Sequence, residues 1–189
     1  MIPDRLRPLA LALAGLLAVL ALAGCGQENP RTHASTEGPY LDVGPLQYQV
    51  QISRLLNPAD QEDRAYFVGV EDPDGQLRGD EAWFSVWVRV WNRTKGTHTP
   101  SDRFEIEDTT GKRYEPVEVG PGNVFAYRPV AIPSGTTLPA ADSAAEQSVI
   151  GGSMLLFKVT NESLANRPLI LHIRSPGGEP HEAEVDLDV

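Results

Sequence analysis

From Leu46 onward, apolar and polar side chains alternate in short runs, which is the pattern of half-buried β-strands. The strongest run covers 82–91 (AWFSVWVRVW) and is rich in aromatic and β-branched residues. Glycine- and proline-containing turns separate the runs, and no window of useful length in this part of the chain shows a helical period. The sequence therefore predicts an all-β fold, an antiparallel β-sandwich of about seven or eight strands. The other runs lie at 46–53 (with Leu46, Tyr48, Val50 and Ile52 as the buried positions), 104–106, 114–117, 155–159, 169–173 and 183–189, with Gly111 in the turn of a hairpin.

The N-terminal region has the organisation of a signal peptide. Arg5 and Arg7 precede an uncharged stretch, Leu9 to Leu22, that is too short to span a bilayer. The next residues, Leu22-Ala23-Gly24-Cys25, resemble the lipobox of bacterial lipoproteins, and Cys25 is the only cysteine in the chain. We expect residues 1–24 to be removed between Gly24 and Cys25, and Cys25 to carry the lipid. The alternative is a chance match in an ordinary signal peptide.

Lipidation of Cys25 would anchor the protein to the extracytoplasmic face of a cell membrane without spanning it. Residues 26–44 are dense in Gly, Pro, Ser, Thr and charge, which indicates a flexible tether with a root-mean-square span of roughly 25 Å. The division predicted is thus signal peptide 1–24, lipidated cysteine and tether 25–44, and one domain at 45–189. Within the tether, neither His33 nor Tyr40 is predicted to be a site residue.

The charge of the chain limits the classes of partner. The full sequence carries a formal net charge of −10, and removal of residues 1–24 leaves 14 basic against 25 acidic residues, or −11. Such an acidic surface argues against a nucleic-acid partner and against adhesion to anionic lipids by basic patches. With Cys25 lipidated, the mature chain has no disulfide and depends on an ordinary hydrophobic core.

The segments that carry a family resemblance are 86–92 (VWVRVWN), 104–114 (FEIEDTTGKRY), 151–159 (GGSMLLFKV) and 168–173 (PLILHI). They resemble a largely uncharacterised family of immunoglobulin-like lipoproteins of Gram-positive bacteria, which includes secreted actinobacterial immunogens. The resemblance covers roughly residues 46–189 and implies an immunoglobulin-like sandwich exposed at the cell envelope, with no catalytic residues to carry over. The long charged insertion at 57–80 departs from the family pattern.

No motif in the sequence predicts catalysis or a cofactor. His181-Glu182 lacks the second histidine of a zinc-binding HExxH helix, and Gly151-Gly152-Ser153 lacks the second glycine of a nucleophile elbow. We therefore predict that the protein is not an enzyme, although a triad assembled in space stays open as an alternative.

Carboxylates crowd the insertion at 57–80, and such oxygen ligands suit calcium. The run Asp72-Pro73-Asp74-Gly75 fails the spacing of an EF-hand, so a solvated acidic loop is the favoured interpretation over a metal site. On the last strand, carboxylates two residues apart are about 6.7 Å from one another, which is too wide for four of them to bind one metal ion. We therefore interpret them as surface charge that discourages the addition of another strand. The insertion's acidic residues and those beside it are Asp60, Glu62, Asp63, Glu71, Asp72, Asp74, Asp80 and Glu81.

All three tryptophans lie on one face of one predicted strand. Alternation places Trp83, Ser85, Trp87, Arg89 and Trp91 opposite an apolar face formed by the even-numbered residues 84–90. A sandwich strand needs only one apolar face, so the tryptophans require an explanation. The favoured one is that the insertion folds back and covers them with Tyr66, Phe67, Val68 and Val70. The other is an open aromatic platform for a glycan or peptide, with Arg89 as a charged contact.

We expect from the sequence a membrane-anchored, non-enzymatic binding or interaction module at the bacterial cell envelope, with an envelope protein or glycan as partner. The alternative is an envelope solute- or metal-binding lipoprotein that uses the tryptophan face (Trp83, Trp87, Trp91) or the acidic insertion at 57–80.

Overall fold

The computed structural model describes residues 29–187, which form ten strands in two sheets. The first sheet has the order β1 (His33–Ala34), β10 (Glu182–Leu187), β9 (Leu169–Arg174), β5 (Arg103–Glu107) and β6 (Arg113–Tyr114). All pairs in this sheet are antiparallel except β1 with β10. The predicted hairpin forms between β5 and β6, with Gly111 at a φ of 85° in its turn, but β6 ends at Tyr114 and does not continue to residue 117 as predicted.

The second sheet is built around its longest strands, β3 (Leu46–Leu56) and β4 (Glu81–Trp91). One edge strand, β2 (Tyr40–Val43), pairs with β3. On the other side of β4, the strand β8 (Ser153–Thr160) pairs with residues 81–88, and the short strand β7 (Thr137–Leu138) pairs with residues 90–91. The outer face of this sheet is therefore continuous from β2 to β7 at the end where β4 stops.

The inner faces of the two sheets enclose the main hydrophobic core. The even-numbered residues 84–90 of β4 face inward, as predicted, and each is fully buried. Residues of the other strands meet them at alternate positions, for example Tyr48 of β3, Phe157 of β8 and Leu171 of β9. The fold is thus an immunoglobulin-like β-sandwich, and the predicted fold class is confirmed.

The prediction of a flexible tether over 25–44 is wrong for its C-terminal part. Residues 33–34 and 40–43 are strands β1 and β2, one at the edge of each sheet. Leu41 and Val43 are each only 1% exposed, because alternation along β2 points both into the core. These two strands and β7 raise the count from the predicted seven or eight to ten. The predicted signal peptide, Gly24 and Cys25 lie outside the described residues.

One predicted core position is wrong because β3 contains a bulge. The pairing with β4 shifts between Val50 and Ile52, so the alternation changes phase at Gln51. As a result Ile52 is 37% exposed, whereas Ser53 is buried.

In the part of the chain that the structure describes, three short helical segments that the sequence pattern did not indicate connect the strands. They are a 3₁₀-helix at Arg64–Phe67, α1 at Ala144–Gln147 and α2 at Asn161–Ala165. Ser143 and Thr160 cap α1 and α2 by accepting a bond from the backbone N–H three residues on. Each of them is shorter than two turns and is therefore too short to show a recognisable helical period in the sequence. Within residues 29–187, no helix has the length and apolar character to cross a membrane.

Candidate functional site on the outer face of the second sheet

The outer face of β4 has a closed region and an open region. In the closed region, around Trp83 and Trp87, both indoles are 0% exposed. In the open region, around Arg89 and Trp91, both side chains are half-buried. The three tryptophans therefore share a face of the strand, as predicted, but they do not share an environment.

The insertion covers the closed region by direct ring contacts. The ring of Tyr66 meets Trp87 edge-on at 5.3 Å between centroids, and Phe67 meets Trp83 at 5.7 Å. The segment at 115–126 closes the layer from the other side, with Phe125 5.1 Å from Tyr66. Leu56, Val119, Met154 and Leu156 complete this second buried cluster. The covered interpretation is confirmed for Trp83 and Trp87, and a platform that includes these two residues is wrong. Tyr66, Phe67 and Val70 pack in this cluster as predicted, whereas Val68 is 50% exposed and takes no part in the cover.

Two polar contacts fasten the insertion to the sheet. Asp63 accepts bonds from Arg54 Nη2 at 2.6 Å and from the Asn57 backbone N–H at 2.8 Å. Arg54 in turn lies over Trp87, with its Cζ atom 5.4 Å from the ring centroid. The Trp83 indole donates to the Pro73 carbonyl at 2.8 Å.

A backbone contact between two glycines fastens the insertion to the 115–126 segment. The Gly120 N–H donates to the Gly69 carbonyl at 3.0 Å. A Cβ atom built on either glycine would lie 2.9 Å from backbone atoms of the other, so both positions require the missing side chain.

The acidic residues of the insertion do not converge on a common point. Asp63 is buried against Arg54, while Asp60, Asp72 and Glu81 accept bonds from nearby backbone N–H groups within their own loops. Across residues 29–187, no group of three or more His, Cys, Asp or Glu side chains is arranged to hold a metal ion.

The open region is a grid of side chains whose spacing is set by the strand register. One row runs across the sheet through Asp42, Gln47, Trp91 and Thr137, and the next through Tyr40, Gln49 and Arg89. The grid combines aromatic rings with amides and charges on rigid strands.

Within the open region, an aromatic ring and a guanidinium group lie next to Trp91. The Tyr40 ring lies 6.1 Å from the Trp91 ring, and Arg93 lies over the indole with its Cζ atom 4.0 Å from the centroid. Arg89 forms an ion pair with Glu146 at 2.5 Å, so its charge is balanced. Arg93 itself is exposed.

An apolar groove adjoins Trp91 and extends the open region. It has a volume of about 620 Å³. Ile132 and Leu138 form its buried floor, and Val130 stands at the rim with 55% of its surface exposed. The sequence pattern did not reveal this groove, because its lining comes from a proline- and alanine-rich loop that lacks strand alternation. The remaining lining residues are Ala131, Pro133, Gly135, Thr136, Thr137, Ala140, Ala141 and Asp142.

The outer face of the first sheet carries charge instead of aromatic residues. His172 faces away from the core, with Nε2 3.4 Å from Glu107 and Nδ1 3.2 Å from Glu182 and 3.5 Å from Glu184. Arg174 pairs with Glu105 and with Glu182. This side of the sandwich is a network of glutamates and compensating cations.

Two large pKa shifts belong to groups that support the fold. Burial raises the pKa of the Tyr48 hydroxyl to about 12, although that oxygen accepts a bond from the Ser101 N–H at 2.7 Å. For Asp108, burial works to raise the pKa, but hydrogen bonds from Ser163, Thr110 and the Lys112 N–H outweigh it and lower the pKa to about 2.

Comparison with known proteins finds likeness in shape only. No family model matches the sequence, and no curated protein matches it. The structure is similar to the yjhA protein of Bacillus subtilis, at 11% identity and a TM-score of 0.48 over 82% of this chain and 99% of that one. It is similar to ycdA of Bacillus subtilis, a proposed lipoprotein, at 12% identity and a TM-score of 0.46 over 79% and 38% of the two chains. It is also similar to the secreted protein MPT63 of Mycobacterium tuberculosis, at 17% identity and a TM-score of 0.46 over 81% and 97%.

Proposed function

We propose that the protein is a lipid-anchored, non-enzymatic interaction module on the extracytoplasmic face of a bacterial cell membrane, held there through Cys25. The observation that carries the interaction role is the open region. There a half-buried Trp91 lies on a rigid sheet beside an apolar groove, while the other two tryptophans are buried. A surface that keeps an aromatic ring and an exposed Val130 in contact with water is typical of a binding site.

The chemistry of the open region suits recognition better than catalysis. Its one half-buried arginine on β4, Arg89, is balanced by Glu146. Among the described residues that line the groove there is neither a histidine nor a cysteine, so the groove offers no nucleophile with an activating base. Aromatic and aliphatic side chains instead provide area for contact with a partner.

Labelling with radioactive fatty acid tests the anchor. We expect the wild-type protein to incorporate label and the Cys25→Ser variant to remain unlabelled, because the thiol is the nucleophile for lipid transfer. Ser35→Ala, an exposed substitution in the described chain, serves as the control and keeps its label. Normal labelling of Cys25→Ser would contradict the lipoprotein assignment.

Photo-crosslinking in cells tests the interaction surface. A photoreactive residue at position 130 lies on the open region, and one at position 124 replaces a valine that is 61% exposed elsewhere. We expect a discrete adduct, to an envelope protein, glycan or lipid, from position 130 alone. Identical adducts from both positions would contradict a specific surface.

The volume of the groove also favours a second candidate function, that of an envelope solute-binding lipoprotein. In that case small envelope solutes would shift the Trp91 fluorescence and raise the melting temperature of the purified protein. A protein-interaction module would respond in neither measurement.

A further inference from the structure

We propose that the open region rests on the surface of the same bilayer that holds Cys25, so that the occupant of this face is the lipid headgroup interface. This inference rests on the proposed lipidation of Cys25. It is carried by the short distance along the chain from the anchor to the fold and by the place where the chain enters the fold.

The chain is fastened to the sandwich from Arg31 onward. The Arg31 N–H donates to Asp42 Oδ2 at 2.9 Å, and the Asp42 N–H donates to the Arg31 carbonyl at 2.7 Å. The six residue steps from Cys25 to Arg31 reach at most about 20 Å when fully extended. Residues 29–187 have an expected radius of gyration of about 15 Å, so the domain is wider than the link is long, and the side opposite Arg31 cannot turn to the bilayer. The side of the domain that carries Arg31 must stay near the headgroups.

The open region lies on that side. Asp42, which holds Arg31, occupies the same cross-strand row as Trp91, two strands away. Adjacent strands are about 4.8 Å apart, so the indole lies roughly 10 Å from the point of attachment and the groove begins one strand further on. Tyr40, on the same edge strand as Asp42, contacts the Trp91 ring.

The side chains of the open region suit a headgroup interface. Tryptophan and tyrosine concentrate at the boundary between water and lipid, where one end of the ring is apolar and the other polar. The rim residue Val130 offers apolar area at the same level. Arg31 and Arg93 are exposed and present guanidinium groups of the kind that bind phosphate.

The distribution of charge favours this orientation over its reverse. The outer face of the first sheet, on the opposite side of the sandwich, carries Glu105, Glu107, Glu182 and Glu184. Turning that face outward keeps these carboxylates away from anionic headgroups. The acids near the open region are Asp42, which is held by Arg31 and Gln47, Glu146, which is paired with Arg89, and the exposed Asp142 at the groove. The attraction need not be strong, because the tether supplies a high local concentration.

The test uses the intact lipoprotein purified from membranes and placed in vesicles of phosphatidylcholine and phosphatidylglycerol, with a spin label near the lipid headgroup. Trp83 and Trp87 are buried, so Trp91 is the indole open to quenching. We expect the labelled lipid to quench part of the emission and Trp91→Phe to lose that part. Val130→Ser, an exposed change that leaves the core intact, should reduce the quenching, and Val124→Ser should not.

The outcomes separate this proposal from the one on which it rests. Mass spectrometry of the purified protein reports whether Cys25 carries lipid. An unmodified Cys25 overturns the anchor and the docking together. A lipidated Cys25 with Trp91 untouched by labelled lipid, and quenched by aqueous acrylamide as freely as in the Cys25→Ser protein, overturns the docking alone and leaves the face free for a soluble partner.

Discussion

The carboxylate of Asp63 lies 2.6 Å from Arg54 Nη2 and thereby holds the arginine over the ring of Trp87, 5.4 Å from its centroid. Asp63 belongs to the insertion and Arg54 to β3, so the pair joins a loop to the sheet that the loop covers. The Asp63 side chain is 6% exposed and that of Arg54 is 36% exposed. The pair therefore helps to hold the insertion over the closed region.

Replacing Asp63 with alanine should loosen the insertion. The change leaves the Arg54 guanidinium and the Asn57 N–H without their acceptor, which costs roughly 1–3 kcal/mol of unfolding free energy. Urea denaturation measures the loss. Glu62→Ala, at an exposed neighbouring position, is the matched control and should change stability by less than about 0.5 kcal/mol. Equal effects of the two changes would contradict the fastening role.

Removing the Trp87 ring should open a cavity between the sheet and the insertion. We expect Trp87→Ala to lower the unfolding free energy by about 3–5 kcal/mol, as in other large-to-small changes in a core. Trp91→Ala removes the same side chain from a half-buried position and should cost clearly less. Chemical denaturation of the two variants in parallel makes the comparison, and similar losses would argue against two distinct regions on this face.

The glycine contact between the insertion and the 115–126 segment makes a third prediction. In Gly120→Ala the new methyl group would lie 2.9 Å from the Gly69 carbonyl oxygen, so the two loops must separate. We expect a loss of about 1–3 kcal/mol, the usual cost of overpacking. At Gly122 the added carbon meets nothing within 4 Å, which makes Gly122→Ala the control. The melting temperature should fall for the first variant and hold for the second.

The lowered pKa of Asp108 predicts a specific dependence of stability on acid. Because the folded-state pKa is about 2 and the ordinary value is 3.8, the ionised carboxylate stabilises the fold above pH 3.8 and the contribution disappears as the pH falls toward 2. Asp108→Asn should therefore be less stable than wild type at neutral pH and flatter over this window. Unfolding free energies measured from pH 6 to about pH 2 test the slope. Asp142→Asn, at an exposed site, should retain the wild-type slope.

Strand periodicity predicted the central strands because β3, β4, β8, β9 and β10 each bury one alternating row in the core. It missed β1 and β2 because both strands lie in a mainly polar segment that contains few apolar residues. Leu41 and Val43 are recognisable as core residues only once β3 provides a partner. The bulge at Gln51 could not be predicted from the sequence either. Ile52 and Leu55 are both apolar and suit a buried strand position equally well, so residue type does not reveal the change of phase.

The site was only partly predictable from the sequence. The surplus of apolar residues on β4 indicated correctly that the insertion covers Trp83 and Trp87, because Tyr66 and Phe67 supply the needed rings. Where that cover ends could not be predicted, since it depends on how far the loop reaches along the strand. The groove depends on the path of the 129–142 loop, which no periodic pattern describes.

Acrylamide quenching of tryptophan fluorescence tests the division of the face into a closed and an open region most directly. The purified protein without its lipid should show one readily quenched component and a protected remainder. Trp91→Phe should lose the quenched component and keep the protected one, because Trp83 and Trp87 are 0% exposed. Strong quenching that persists in Trp91→Phe would show that the insertion does not cover Trp83 and Trp87, and would contradict the account.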